Sequence, residues 1–159
     1  MPRKHIFLKG YAYFITSKIK NNIQIFNNSE CCNLLIKDFD YYRKNLDYLI
    51  YGYVIMYDHF HWIIHPSEKV AIPLIMKKIK GHSSFTINKY LNKNGSIWQA
   101  DYYDHVIRNK YDFEEKVNYI HHNPVKEGLV KNMEDYKYSS YNFYFNGDES
   151  VLRVDIPRL

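Results

Sequence analysis

The stretch that decides the fold is Tyr48-Leu-Ile-Tyr-Gly-Tyr-Val-Ile-Met56, Tyr57-Asp58, then His59-Phe-His-Trp-Ile-Ile64. Two apolar, β-branched and aromatic runs flank a two-residue turn, which predicts a hairpin of buried strands. Along the second run residues i and i+2 project from one face. The imidazoles of His59 and His61 therefore point the same way, and Phe60 points into the opposite layer. Two unpartnered polar rings at the head of an apolar strand are costly to bury, and two imidazoles at this spacing are able to converge on one divalent cation.

Working outward, Tyr11-Ala-Tyr-Phe-Ile-Thr-Ser17 reads as a preceding strand, Asn21-Asn22 as a turn and Ile23–Phe26 as a short return strand. Asn27-Asn-Ser-Glu30 opens a helix whose stripe, Leu34, Leu35, Asp38, Phe39 and Tyr42, ends near Asn45. After the hairpin, Pro66-Ser67 begins a second helical region carrying Ile72, Leu74, Ile75 and Ile79. Gly81 is expected to interrupt it before Phe85–Leu91 resumes the pattern. A strand is expected over Ile97–Arg108 and a third helix over Tyr111–His122, ended by Pro124 because the residue before proline is pushed out of the α region. The tail carries the aromatic group Tyr138, Tyr141, Phe143 and Tyr144 and a polar end expected to fray. The order β-α-β-β-α-β-α predicts an α+β fold: a ferredoxin-like, split βαβ antiparallel sheet with helices on one face and an added C-terminal helix, the one that carries Tyr119. With 159 residues, one domain is expected, its core at about 8–145 and its tail at about 146–159.

Composition narrows the functional classes. No apolar run approaches the roughly 18 residues that would span a bilayer, and the basic N-terminus is followed by no small-residue cleavage site. The only cysteines, Cys31 and Cys32, are adjacent, which suits neither a disulfide framework nor a zinc ribbon and fits a reducing, cytoplasmic setting. Residues 1–100 carry fourteen basic and six acidic side chains, and residues 101–159 carry eight and eleven. Six lysines and no acid lie between Lys69 and Lys93. A one-sided basic surface is the footprint of a polyanion, or else a solvated helix face. The 17 tyrosines offer stacking surface for unpaired bases but serve core packing equally well.

A second constellation is Tyr119-Ile-His-His-Asn123. Positions i and i+4 stack on one helix face, so the Tyr119 hydroxyl and the Asn123 amide lie together. A phenol with a pKa near 10 is a poor nucleophile without a cation or base beside it. A metal held by His59, His61 and Asn123 would assist it and would polarise a phosphodiester.

At these residues the chain resembles the single-tyrosine HUH transposases (His, hydrophobic, His), in particular their REP-associated tyrosine transposase branch within the IS200-like group. His59-Phe60-His61 is the motif itself, and Gly52-Tyr-Val-Ile-Met-Tyr-Asp-His59 is similar to the segment that precedes it. Gly95-Ser-Ile-Trp98-Gln99, Tyr119-Ile-His-His-Asn-Pro-Val-Lys-Glu-Gly-Leu-Val130 and Ser139-Ser-Tyr141 match further motifs. The resemblance runs from about Tyr11 to Tyr144. Departures are Tyr57-Asp58 where relatives carry Pro-Asn, Trp62-Ile-Ile-His65 where they carry a leucine run, and an altered early strand motif ending at Thr16. His65 adds a polar group expected near the site.

The resemblance implies a nucleoid-associated DNA transposase that nicks and rejoins single-stranded DNA at hairpin-forming palindromes. Tyr119 would form a 5′-phosphotyrosine bond, while His59, His61 and Asn123 hold Mg²⁺ or Mn²⁺, within one chain or across a homodimer. Lys77, Lys78, Lys80 and Lys89 are the candidate DNA-binding side chains. Two other readings stand beside it. One is a catalytically silent hairpin or single-stranded nucleic-acid-binding module of the same fold. The other is a zinc hydrolase using His59, His61 and either His121 or His122.

Overall fold

The computed structural model describes residues 4–5 and 7–159 of the chain. Four strands, β1 (Ala12–Lys18), β2 (Tyr48–Ile55), β3 (His59–Pro66) and β4 (Tyr103–Ile107), form one antiparallel sheet in the order β2-β3-β1-β4. The helices are α1 (Ser29–Leu46), α2 (Ile72–Leu91), α3 (Lys110–Lys126) and the short α4 (Tyr141–Asn146). This is the ferredoxin-like arrangement the element order predicts, with β1 and β3 central.

Alternation along the strands gives the sheet two buried faces. Ile15, Phe60, Trp62 and Ile64 point toward α1 and α2 and pack on Phe39, Ile75 and Ile79. Ala12, Phe14, Val54 and Ile63 point the other way and pack on Phe113, Val117 and Ile120 of α3. Burying each such side chain contributes about 1.5–3 kcal/mol, so the apolar stripe of α3 holds that helix flat on the sheet. A bulge between Ile50 and Gly52 lets Ile50 pair with Ile64 and Gly52 with Ile63. The extra residue, Tyr51, is turned to the α3 face without disturbing Tyr53 in the other layer.

Several expectations need correction. The segment 23–26 is not a return strand, because two 3-10 turns (Lys20–Asn22 and Ile25–Asn27) occupy it and bury Phe26 beneath α1. The left-handed Asn21, at φ 58°, breaks any extended run. Asn28 then caps α1, its side chain accepting from the N–H groups of Glu30 and Cys31. Gly81 does not interrupt α2: it sits on the solvent side, where it costs about 1 kcal/mol relative to alanine, and the burial of Ile79, Ser83 and Ile87 carries the helix through.

Pro124 does not end α3 either. It lies in the last turn, buried together with Ile120 and Asn123, so it forfeits a single hydrogen bond. The helix closes about one turn later at Gly128 (φ 74°), with Leu129 N–H donating to Pro124 O and Gly128 N–H to Val125 O. Only Tyr103–Ile107 of the expected fourth strand is regular. Upstream of it an isolated bridge joins Trp98 to Ile19. The polar end is docked rather than frayed. Leu152 and Val154 enter the core, and Asp155 exchanges hydrogen bonds with Ile50 on the exposed edge of β2.

Candidate active site

Antiparallel pairing places Thr16 of β1 opposite His61 of β3 on one side and Tyr103 of β4 on the other. His61 is 4% exposed, and burial pushes its imidazole down to about 3, so it stays neutral. Its Nε2 lies 3.1 Å from Asn123 Nδ2 and its Nδ1 lies 2.6 Å from Thr16 Oγ1. With the amide donating to Nε2, the ring proton belongs on Nδ1, where it donates to the threonine oxygen. His59 is fixed in the same manner: its Nδ1 lies 2.6 Å from Asp58 Oδ1, which directs Nε2 away from the carboxylate. The two imidazole rings are 4.8 Å apart.

Helix α3 delivers the other two groups. Tyr119 and Asn123, one turn apart, both face the sheet, so the Tyr119 ring stands edge-on to His61 (5.3 Å) and to Phe14 (5.8 Å). The phenol is 45% exposed, so it is open to a substrate. Asn123 Oδ1 is buried and has no hydrogen-bond partner, an orphan carbonyl oxygen directly beside the imidazole pair. Among the described residues no three His, Cys, Asp or Glu side chains gather into a metal site. Two imidazole nitrogens and one amide oxygen fit a divalent ion that keeps water in its remaining positions.

A cleft of about 400 Å³ opens at Tyr119, lined by Phe14, Thr16, Lys18, His61, Tyr103, Lys116 and Tyr119. Lys116 is one turn before Tyr119, and its Nζ lies 5.6 Å over the Phe14 ring. Lys18, Lys116 and the orienting carboxylate of Asp58 are additions that the tertiary structure makes to the sequence reading, and Tyr103, readable from sequence only as a packing or base-stacking ring, takes its place in the cleft wall. The spacing of Lys116 from Tyr119 was the available signal, whereas Lys18 and Tyr103 become neighbours only through strand pairing.

The remaining candidates lie elsewhere. Lys77, Lys78 and Lys89 are exposed on α2, in the layer across the sheet from the imidazoles. Lys80 donates to the carbonyls of Gln99 (2.6 Å) and Asp101 (3.2 Å), tying the loop before β4 to α2. His65 stands at the far end of β3, 3.0 Å from the Tyr51 hydroxyl. The three-histidine zinc site does not assemble. His122 faces solvent, and His121 turns to Ser140 Oγ (2.8 Å) among Tyr141, Tyr144 and Phe145. His5, His82 and His105 each pair with an aspartate, respectively Asp101, Asp38 and Asp112. Trp98 is core, and the buried Cys32 thiol is pushed up to about 12, an inert group.

Fold and site together define a class: a ferredoxin-like α+β domain whose central strands present a histidine pair to a tyrosine on a helix crossing that face. The sequence profile described as "Transposase IS200 like" matches residues 7–123, and the chain belongs to that transposase family. It is 27% identical over 144 residues to the REP-associated tyrosine transposase of Escherichia coli, an alignment covering 87% of this chain and 81% of that one. A Haemophilus influenzae protein provisionally described in the same words is 27% identical over 150 residues, covering 86% and 82%. Among solved structures, a REP-associated tyrosine transposase bound to a REP hairpin superposes with a TM-score of 0.79 over 99% of both chains at 21% identity. No helix among the described residues is long and apolar enough to cross a membrane.

Proposed function

We propose that this transposase nicks and rejoins single-stranded DNA beside hairpin-forming palindromes through a 5′-phosphotyrosine intermediate, with Tyr119 as the nucleophile. The observation that carries the reading is the meeting of an exposed phenol with a buried, neutral His61 and the orphan Asn123 carbonyl. Structural core tyrosines in this chain are sealed, as Tyr48 and Tyr53 are. Tyr119 instead stands at an open, lysine-flanked cleft.

His59, His61 and Asn123 would hold Mg²⁺ or Mn²⁺, which when bound supplies Lewis-acid stabilisation to the scissile phosphate. The protein's own groups do the rest. Lys18 and Lys116 draw the phosphate into the cleft, between the rings of Phe14 and Tyr103 that line it. As the Tyr119 Oη–P bond forms, the phenolic proton is released, the P–O3′ bond breaks, and the departing 3′-oxygen takes up a proton. The phosphodiester's energy is kept in the tyrosyl ester, so a second 3′-hydroxyl can reverse the step without ATP. The hairpin specificity is carried over from the solved relative and from the family likeness.

The test is incubation with end-labelled hairpin DNA and Mn²⁺ followed by denaturing electrophoresis. A covalent adduct is expected from the natural protein and from neither Tyr119→Phe nor His59→Ala. Binding without any adduct would assign the chain to the silent-module class, and cleavage without protein attachment to the hydrolases.

A further inference from the structure

Helix α3 carries Tyr119 and Asn123 on one flank, and the apolar stripe of Phe113, Val117 and Ile120 holds it down on the sheet. Apolar contact is non-directional. The stripe fixes the height of α3 but leaves its rotation about its own axis weakly determined. A polar pair on the other flank supplies that second restraint. His121 is two residues from both Tyr119 and Asn123, about 200° around the helix. Its Nε2 lies 2.8 Å from Ser140 Oγ. The two residues are 2% and 0% exposed, among the rings of Tyr141, Tyr144 and Phe145.

Ser140 is itself anchored to the sheet. Residues 138–140 run along the outer edge of β2, where Ile55 N–H donates to Tyr138 O (2.9 Å), Ser140 N–H donates to Tyr53 O (3.0 Å) and Ser139 bridges Val54. A serine hydroxyl has one donor and two acceptor sites. This one accepts from Tyr53 N–H (3.1 Å) and donates to Tyr53 O (3.3 Å), which leaves its second acceptor site for His121. The imidazole therefore donates from Nε2. Its Nδ1, buried without a partner, is then an unfilled lone pair and not an unpaired N–H.

These contacts close into a ring. Val54 pairs with His61 across β2 and β3, Ser139 bridges Val54 from outside, and Ser140 holds His121. Asn123, two residues further along α3, returns to His61 at 3.1 Å. The helix is thereby pinned on both flanks against roll, the motion that would carry the Tyr119 ring off His61.

We propose that Ser140 and His121 are positioning residues for strand transfer: their hydrogen bond sets the roll of α3 and so holds the Tyr119 phenol against His61. The catalytic consequence rests on the reading of Tyr119 as the nucleophile, whereas the geometric part stands without it. The Ser139-Ser140-Tyr141 motif, which lies outside the cleft, thereby acquires a task.

The experiment compares the natural protein with Ser140→Ala, His121→Leu, the two combined, and His121→Gln, whose amide N–H replaces the Nε2 donor. NMR of ring-¹³C-labelled tyrosine, without metal or DNA, reads the stance of Tyr119 against His61 and Phe14; its signal is the one missing from Tyr119→Phe. That signal should move in the first three variants and keep its place in His121→Gln. Single-turnover adduct formation on end-labelled hairpin DNA with Mn²⁺, measured well below each melting midpoint, should slow about 10- to 100-fold in the first three. The double variant should be no slower than either single one, hairpin affinity should change little, and His121→Gln should restore most of the rate. If Ser140→Ala fails to fold, His121→Leu against His121→Gln carries the comparison. An unmoved Tyr119 signal, additive slowing, or no recovery in His121→Gln would overturn the proposal. So would a lowered melting midpoint with spectrum and rate intact, the mark of a purely structural contact. A natural protein that forms no adduct would overturn the transferase reading, and the spectra would then decide the positioning contact by themselves.

Discussion

Mild acid should loosen this fold through two imidazoles that it keeps uncharged. Burial holds His61 down to about 3 and His121 to about 4. In the unfolded chain both would titrate near 6.5. Folded pKa values below the unfolded ones mean that the unfolded state binds more protons as pH falls. The stabilisation is therefore fully present above about pH 6.5 and is lost progressively toward pH 4. At pH 5 each group is about 1.5 units below its unfolded pKa, a loss of about 2 kcal/mol apiece. Two such groups lower Tm by roughly 8–16 °C in a chain of this size. Asp38 works in the opposite direction, because burial raises its carboxyl pKa and its folded form takes up a proton more readily.

The comparison that isolates one imidazole is His121→Gln, which preserves an amide partner for Ser140 Oγ and removes one titrating group. Thermal melts followed by circular dichroism at pH 7.5, 6 and 5, with a chelator present, should show the variant losing about half as much Tm as the natural protein. The Asp38 contribution is common to both and cancels. Parallel Tm-against-pH lines for the two proteins would refute the argument, since His121 would then be charged in the fold or titrating alike in both states.

Three further outcomes follow from particular contacts. Asp58→Asn removes the carboxylate that orients His59 and should weaken Mn²⁺ binding roughly 10- to 100-fold by calorimetry, with the melting midpoint little changed. Lys18→Ala and Lys116→Ala, which alter the cleft, should each reduce the salt dependence of DNA binding by about one phosphate contact. Lys77→Ala and Lys78→Ala, across the sheet, should reduce it less. Trp98→Phe deletes the indole donor to Ser83 Oγ (2.9 Å) and leaves a buried hydroxyl with one partner fewer. Urea denaturation should register a loss of about 1–3 kcal/mol.

What the sequence by itself determined was whatever short-range periodicity controls. The two-residue period of β3 put His59 and His61 on one face, and the helical period of α3 put Tyr119 and Asn123 on another. The turn at Tyr57-Asp58 joined two apolar runs into a hairpin, and the element order followed from similar local patterns. Tertiary structure decided where those faces met. Asn123 reaches His61 across 62 residues of chain and Thr16 reaches it across 45, distances over which no local pattern acts. The same long-range burial carried α3 through Pro124 and α2 through Gly81, because several buried side chains outweigh one lost hydrogen bond or one flexible residue. It also drew the polar C-terminal segment onto the open edge of β2, where unpaired backbone groups and the carboxylate of Asp155 satisfy one another. Local propensity chose the pieces, and desolvation of apolar area between distant segments chose their arrangement.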